Sequence, residues 1–259
     1  MLQLWQAASS SKAERAESQT SSQKERRQRR LKKTLYTLNV NNYAPDICSL
    51  TYPLLRRYAE KIGAEFYIIS ERQSPDCNVT IEKLQIHSLA KERGDDWAIY
   101  VDSDCLIHPD TMDFTEILPM DTVMNNGKDY ASCRFVYDDY FRRDGRHIAS
   151  CGWLSVASRW CLDLWKPLDD LSYAEAVSRI KPTAVESRTG ITADHLIDDF
   201  IVSRNIAKYG LKHTTFREVL AKAGMVDSSF LWHEYTIPVK TKLAFMKKVL
   251  TVWTGQEVR

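Results

Sequence analysis

The sequence predicts an α/β protein with a mostly parallel central sheet flanked by helices, and three observations carry that prediction. Trp97-Ala98-Ile99-Tyr100-Val101 is an unbroken apolar run with β-branched and aromatic members, the pattern of a strand covered on both faces. Two earlier β-type runs, Thr34 to Val40 and Phe66 to Ile69, precede it. Stretches of helical periodicity separate the three, and a β-α-β-α-β order closes into parallel strands joined by right-handed crossovers.

Taken in order, residues 1–33 are polar and Ser-rich, with the basic run Lys24-Glu25-Arg26-Arg27-Gln28-Arg29-Arg30, and read as a disordered or loosely helical tail. The folded domain is expected over 34–235, followed by a basic amphipathic segment over 236–259. Asn41, Asn42 and Pro45 break the first strand, and a helical stretch then runs to about Ile62, interrupted near Pro53. Gly63 turns the chain into the second strand. From Thr80 to Arg93, Ile81, Leu84, Ile86 and Leu89 follow helical spacing, and Gly94 closes that helix. After the third strand, Asn126-Gly127 marks a turn before a strand at Tyr130 to Phe135. Asp138 to His147 is charged and aromatic, too polar for core. Ile148 to Ala157 is a further strand region broken by Gly152, and a helix-like piece runs through Trp165. Residues 192–209 form a helix on the spacing of Leu196, Phe200, Ile201 and Ile206, ended by Gly210. No internal repeat is visible.

A chain of 259 residues with 44% hydrophobic content and seven Trp can fill one sizeable core, which excludes wholesale disorder. No apolar run approaches the roughly 18 to 20 residues of a membrane span, and the first thirty residues lack a signal-peptide core. The six Cys (48, 77, 105, 133, 151, 161) form no Cys-x-x-Cys pair, a spacing that suits neither a zinc site nor a secreted disulfide framework. Reduced, packed thiols and a cytoplasmic location are expected.

The net charge of +2 hides an asymmetry. Residues 1–33 carry +6 and residues 236–259 carry +4, which leaves the stretch between them at −8. An acidic body argues against nucleic acid as a partner, since the basic stripe should then lie on the fold itself. Basic ends are compatible with peripheral contact with an anionic membrane surface. In Lys240 to Trp253, Leu243, Phe245, Met246, Val249 and Leu250 alternate with lysines, as in a helix lying among lipid headgroups or closing against the body.

Chemistry concentrates where the third strand ends. Asp102 and Asp104 flank Ser103 at its C-terminal tip, and this is the single Asp-x-Asp in the chain. Two carboxylates there cost desolvation unless a cation sits between them, and hard divalent ions take carboxylate oxygens while keeping positions open for phosphates. Ligands of open α/β sheets bind just outside the carboxyl ends of strands. The plain alternative is two solvated aspartates at a strand-to-loop boundary.

With Lys83 some twenty residues upstream, Trp97-x-x-Tyr100-Val101-Asp102-Ser103-Asp104-Cys105-Leu106-Ile107 resembles the nucleotide-sugar half of GT-A-fold glycosyltransferases. It is most similar to galactosyl and mannosyl transferases of the fungal Golgi type, and it resembles bacterial lipopolysaccharide galactosyltransferases in similar features. The resemblance is good over residues 34–110 and looser through 235. It implies a single GT-A domain and a nucleoside-diphosphate sugar donor, with UDP-hexose favoured over GDP-mannose. It further implies a glycan or lipid-linked acceptor and Mn²⁺ or Mg²⁺ as cofactor. It makes Asp104 the direct metal ligand and Asp102 the nearer partner of ribose and metal. His233 becomes a third ligand, with Glu234 as a substitute, and retention of anomeric configuration follows from that branch.

The same resemblance marks Asp194 as the acidic residue at the donor sugar, although Thr192 capping the helix and Asp194 complementing its dipole explain the pair equally well. Asp198 lies one turn on, on the same face, and Asp199 is rotated away; either Asp194 or Asp198 would be the general base of an inverting enzyme. Thr37 and Asn39 fall where relatives hold base and ribose, and Ser103 sits within the motif. Arg72 is in reach of the base edge, and Lys83 of the nucleotide. Cys151 and Gly152 occupy the place of a small-residue-Gly pair beside the sugar. Arg142, Arg143, Arg146 and His147 in the polar loop, and Lys240 in the tail, are suited to a diphosphate or an anionic acceptor, or else are simply solvated.

Two other classes fit less of the chain. A phosphohydrolase of the haloacid-dehalogenase type expects its Asp-x-Asp on the first strand and Thr or Val where Leu106 stands. A non-catalytic scaffold binding membranes or a partner through its ends predicts no metal dependence.

Overall fold

A computed structural model describes residues 31–127, 152–225, 231–233 and 237–256. The chain divides after Lys32, and Lys33–Arg259 carries the fold. Its elements in order are β1 (Lys33–Leu38), α1 (Pro45–Ile62), β2 (Glu65–Ile69), a 3₁₀ stretch (Val79–Gln85) leading into α2 (Ile86–Arg93), β3 (Trp97–Val101), β4 (Leu106–Ile107) and β5 (Thr122–Asn125). Then follow β6 (Leu154–Ser158), a 3₁₀ turn (Leu162–Trp165), α3 (Tyr173–Ser178), α4 (Ala184–Arg188), α5 (Ile197–Lys208), β7 (Lys212–Thr215), α6 (Phe216–Lys222), β8 (Leu231–Trp232) and α7 (Val239–Thr254).

The six-stranded sheet has the order β2-β1-β3-β6-β5-β7. β1 pairs parallel with both β2 and β3, and β5 with β7, while β6 runs antiparallel to its two neighbours. The predicted α/β sheet is therefore present, mostly parallel, with helices on both faces. All five β3 residues are buried. Alternation along the strands sends Tyr36 and Tyr100 to a core with Trp165, Phe200 and Ile201, and Leu35 and Ile99 to the opposite core with Leu55, Tyr58 and Phe216. β2 lies on one side of β1 and β3 on the other, so the crossover direction reverses between β1 and β3. A crevice opens at such a point, outside the carboxyl ends of those two strands.

Three local expectations need correction. α1 is continuous through Pro53, which sits exposed on its solvent side. Burial of Ile47, Thr51, Leu55, Tyr58, Ala59 and Ile62 at helical spacing outweighs the roughly 3 kcal/mol a mid-helix proline costs. Residues 80–93 are not one helix: the first half is 3₁₀, where positions i and i+3 eclipse, and this aligns Thr80 with Lys83. Thr192 is not a helix cap, because its hydroxyl donates to the Asp194 carboxylate. The strand expected at Tyr130 to Phe135 lies outside the described residues.

The C-terminal part returns to the middle of the sheet. β8 pairs antiparallel with β4, Leu106 opposite Trp232. α7 buries Met246 and Leu250 against Ile47 of α1 and Leu106 of β4. Among the described residues, no helix is long and apolar enough to cross a membrane.

Candidate functional site

A cleft of about 440 Å³ lies at the reversal between β1 and β3. Leu38, Val40, Asn41 and Tyr43 line it from the end of β1, and Asp102, Ser103 and Asp104 from the end of β3. Thr80 and Lys83 come from the 3₁₀ stretch, Gly152 and Trp153 from the approach to β6, His195 and Leu196 from a 3₁₀ turn (Asp194–Leu196) before α5, Asp198 and Asp199 from the first turn of α5, and His233 and Lys242 from the C-terminal part.

The chain leaves β3 at Val101, and Asp102 N–H donates to the Trp153 carbonyl (2.9 Å). Thr51 of α1 pins the next turn by donating its hydroxyl to the Ser103 carbonyl (2.5 Å). The β4–β8 pairing then places His233 beside the turn. Its Nε2 lies 3.3 Å from Asp104 Oδ1 and 3.6 Å from Asp102 Oδ2. One ligand atom from each of Asp102, Asp104 and His233 falls within 4.8 Å of the others.

The outer carboxylate oxygens are occupied. Asp102 Oδ1 accepts from Tyr100 Oη (2.5 Å) and pairs with Lys83 Nζ (3.0 Å). Lys83 also reaches Asp198 Oδ2 (2.8 Å). Asp104 Oδ2 pairs with Lys242 Nζ (2.5 Å) and accepts from Tyr43 Oη (3.3 Å). Neighbours thus fix both carboxylates, and the oxygens left toward His233 are those a cation would use. Trp153 stacks on the His233 ring at 5.2 Å between centroids and 18° between planes.

These contacts set the charges. Burial pushes the Asp104 carboxyl up, but the charges and hydrogen bonds of His233 and Lys242 outweigh it and hold it well below the usual carboxylate range. Burial alone would lower the Lys83 ammonium, yet Asp102 and Asp198 raise it well above normal, so it stays protonated. Burial and the nearby Asp102 charge keep the Tyr100 phenol neutral. Among the described residues, four carboxylates line the cleft against two ammonium groups. The donor set, two carboxylates and an imidazole, suits a hard or borderline divalent ion, and the residual negative charge matches one.

Gly152 sits where no side chain fits. A Cβ there would lie 2.4 Å from Asp198 Oδ2 and 3.2 Å from Asp199 Oδ1. Its N–H donates to Asp199 Oδ1 (2.5 Å). Asp199, expected to point away, therefore lines the cleft beside Asp198.

Other expected residues stand elsewhere. Thr37 is wholly buried in β1, outside the cleft lining. Asn39 closes the β1–α1 turn, with Nδ2 donating to Tyr52 Oη (2.6 Å) and Oδ1 accepting from Tyr43 N–H (2.8 Å). Arg72 donates to the Ser74 and Cys77 carbonyls (2.9 and 2.5 Å). Asp194 holds Thr192 and Asn78, while its neighbours His195 and Leu196 line the cleft. Lys240 is exposed. Arg142, Arg143, Arg146, His147, Cys151 and Glu234 lie outside the described residues.

Sequence reasoning missed Tyr43, Trp153, His195 and Lys242. Lys242 had a readable signal: with Met246 and Leu250 it falls on the apolar stripe of the tail, where a lysine needs a buried counter-charge. Tyr43 had none: the left-handed backbone of Asn41, Asn42 and Ala44 (φ 59°, 53° and 42°) that sets its turn shows only in the structure.

No protein-family model and no curated protein matches the sequence. Among solved structures, the fold is similar to a glycosyltransferase involved in the glycosylation of the major capsid of PBCV-1. That likeness has 10% identity and a TM-score of 0.49, and covers 84% of this chain and 100% of that one. It is also similar to A197 from STIV at 13% identity and a TM-score of 0.36, over 72% of this chain and 82% of that one. At these scores the functional reading rests on the site's own residues.

Proposed function

We propose that this chain is a divalent-metal-assisted glycosyltransferase. It moves a hexose from a nucleoside-diphosphate sugar, UDP-hexose ahead of GDP-mannose, to an acceptor hydroxyl with retention of configuration. The observation that carries this reading is the convergence of Asp102, Asp104 and His233 in a cleft at the sheet's crossover reversal. A bound Mn²⁺ or Mg²⁺ would supply Lewis-acid stabilisation of the departing diphosphate.

The remaining work falls to the chain's own side chains. Asp104 and His233 would hold the cation, and Asp102 would share it or the ribose. Tyr100 and Lys83 fix Asp102, so little reorganisation is needed when charge develops on the leaving group. Asp198, bound to Lys83, and Asp199, bound to the Gly152 amide, stand as acceptors for donor-sugar hydroxyls or for the acceptor proton. The polar stretch 138–147, with Arg142, Arg146 and His147, is proposed to serve the acceptor or the diphosphate. Peripheral contact with an anionic membrane belongs to the same proposal, supported by exposed Lys240, Phe245, Lys248 and Val252 on α7.

The test is calorimetric titration of UDP and GDP, with and without Mn²⁺, into wild type and Asp104→Ala. One nucleotide should bind only with metal, and the variant should lose that binding. Equal binding by both proteins, or none under any condition, would leave the carboxylates structural and favour the scaffold reading.

A further inference from the structure

Lys242 is 3% exposed, and its ammonium sits on Asp104 Oδ2. It is the buried cation of α7, at the start of the face that packs Met246 and Leu250 against Ile47 and Leu106. A lysine inside such a stripe costs stability unless its charge is met, and Asp104 meets it. The same carboxylate is the central member of the Asp102–Asp104–His233 group. Two positive charges on one buried carboxylate repel each other far more strongly than they would in water. From this we propose that Lys242 is a built-in counter-cation of the seat, so that docking of the C-terminal helix and loading of a divalent cation oppose one another. The proposal rests on reading the three residues as a cation seat.

Linkage makes the effect reciprocal: if the lysine weakens cation binding, the cation weakens the lysine's hold and loosens α7 by the same factor. Without a cation, Lys242 neutralises Asp104 and holds the C-terminal helix down. With one, the helix keeps its apolar contacts but loses its ionic tie. Cation loading would then be favoured when an anionic ligand enters the cleft and offers the released ammonium a new partner.

The test measures Mn²⁺ alone, with no nucleotide, by calorimetry on the full chain. Lys242→Met fills the stripe without charge, Lys242→Arg retains the charge, and Lys248→Gln alters an exposed lysine of the same helix. Lys242→Met is expected to bind Mn²⁺ about tenfold or more tightly than wild type, a step of one decade in affinity. Lys242→Arg and Lys248→Gln should stay near wild type. Amide exchange over residues 239–254 should rise on Mn²⁺ addition in wild type and stay level in Lys242→Met. If Lys242→Met proves poorly folded, its melting temperature supplies the reading, since Mn²⁺ should raise it more than that of wild type.

Equal or weaker Mn²⁺ binding by Lys242→Met, with wild-type binding still abolished by Asp104→Asn, overturns the antagonism and leaves the cation seat standing. Failure of Mn²⁺ to bind wild type and Lys242→Met alike overturns both.

Discussion

At Gly152 one absent methyl group holds two carboxylates in place. Alanine there would put its Cβ 2.4 Å from Asp198 Oδ2, far inside any tolerated contact, and would press on Asp199 as well. The crowded atoms belong to two of the carboxylates that line the cleft, and Asp198 is tied in turn to Lys83. Displacing reacting groups by about an ångström costs on the order of 100-fold in rate. Gly152→Ala is therefore expected to lower kcat/KM for donor turnover by about two orders of magnitude, with a stability loss of only ~1–3 kcal/mol from overpacking. Steady-state kinetics beside a thermal melt would check both, and a variant with near wild-type turnover would show that Asp198 and Asp199 need no fixed position. The sequence made Asp102 and Asp104 legible because a lone Asp-x-Asp followed an unmistakable strand. Asp199 was not legible, because the helical wheel assumes one buried face. α5 is buried nearly all round over its first turns, from Ile197 through Ile206, so both aspartates point into protein.

Elements are joined in this fold by charge as well as by apolar packing, and α5 shows it away from the cleft. Arg204 is 3% exposed and makes a two-pronged pair with Asp170, both contacts 2.8 Å, on the segment leading into α3. Asn205 adds hydrogen bonds to the Leu164 and Lys166 carbonyls (3.1 and 2.8 Å). Hydrogen bonding from Arg204 holds the Asp170 carboxyl well below the usual carboxylate range, against the smaller upward push of burial. A depressed folded-state value means this pair stabilises above the unfolded carboxyl range, near pH ~3.9, and loses its contribution as pH falls through the folded value. Asp170 is about one-third exposed, so solvent screening trims the effect. Asp170→Asn should cost about 1–2 kcal/mol at pH 7, with the gap to wild type narrowing below about pH 4. Urea titrations at pH 7 and pH 3 would show it, and a gap unchanged between the two would remove the pair's electrostatic role. Periodicity found α5 but not its anchor, just as it found a helix at 80–93 and missed that its first half is 3₁₀. There, Glu82 accepts from the Gln73 and Ser74 amides (3.0 and 2.9 Å), a tertiary tie with no local signature.

Over the whole molecule, the parallel opening β1-α1-β2-α2-β3 was legible because each connection is local. The antiparallel course of β6, whose partners include Trp97 opposite Ser158, and the return of β8 onto β4, Leu106 opposite Trp232, were not, since pairing between strands distant in sequence leaves no periodic trace. That return explains why one face of the tail, legible as a basic amphipathic segment, is taken up by the body. Its inner face carries Lys242, Met246 and Leu250 into the body, so an outer face with Phe245 (47% exposed), Val252 (81% exposed), Lys240 and Lys248 remains toward solvent. The stretch between the basic ends carries −8 and would be repelled by an anionic surface, so approach is favoured only with a basic end leading. Attraction of this kind is screened over a Debye length of about 8 Å at physiological salt. Wild type should therefore cosediment with phosphatidylserine-containing vesicles at low ionic strength, and binding should fall as salt rises. Lys240→Glu combined with Lys248→Glu should weaken it by about tenfold or more, at roughly 1 kcal/mol for each lysine near the surface and more for reversed charge. Phe245→Ser should weaken it further without a change in salt slope, because an inserted ring adds area and no charge. Binding that ignores all three substitutions would move the membrane contact off this helix and leave its outer face merely solvated.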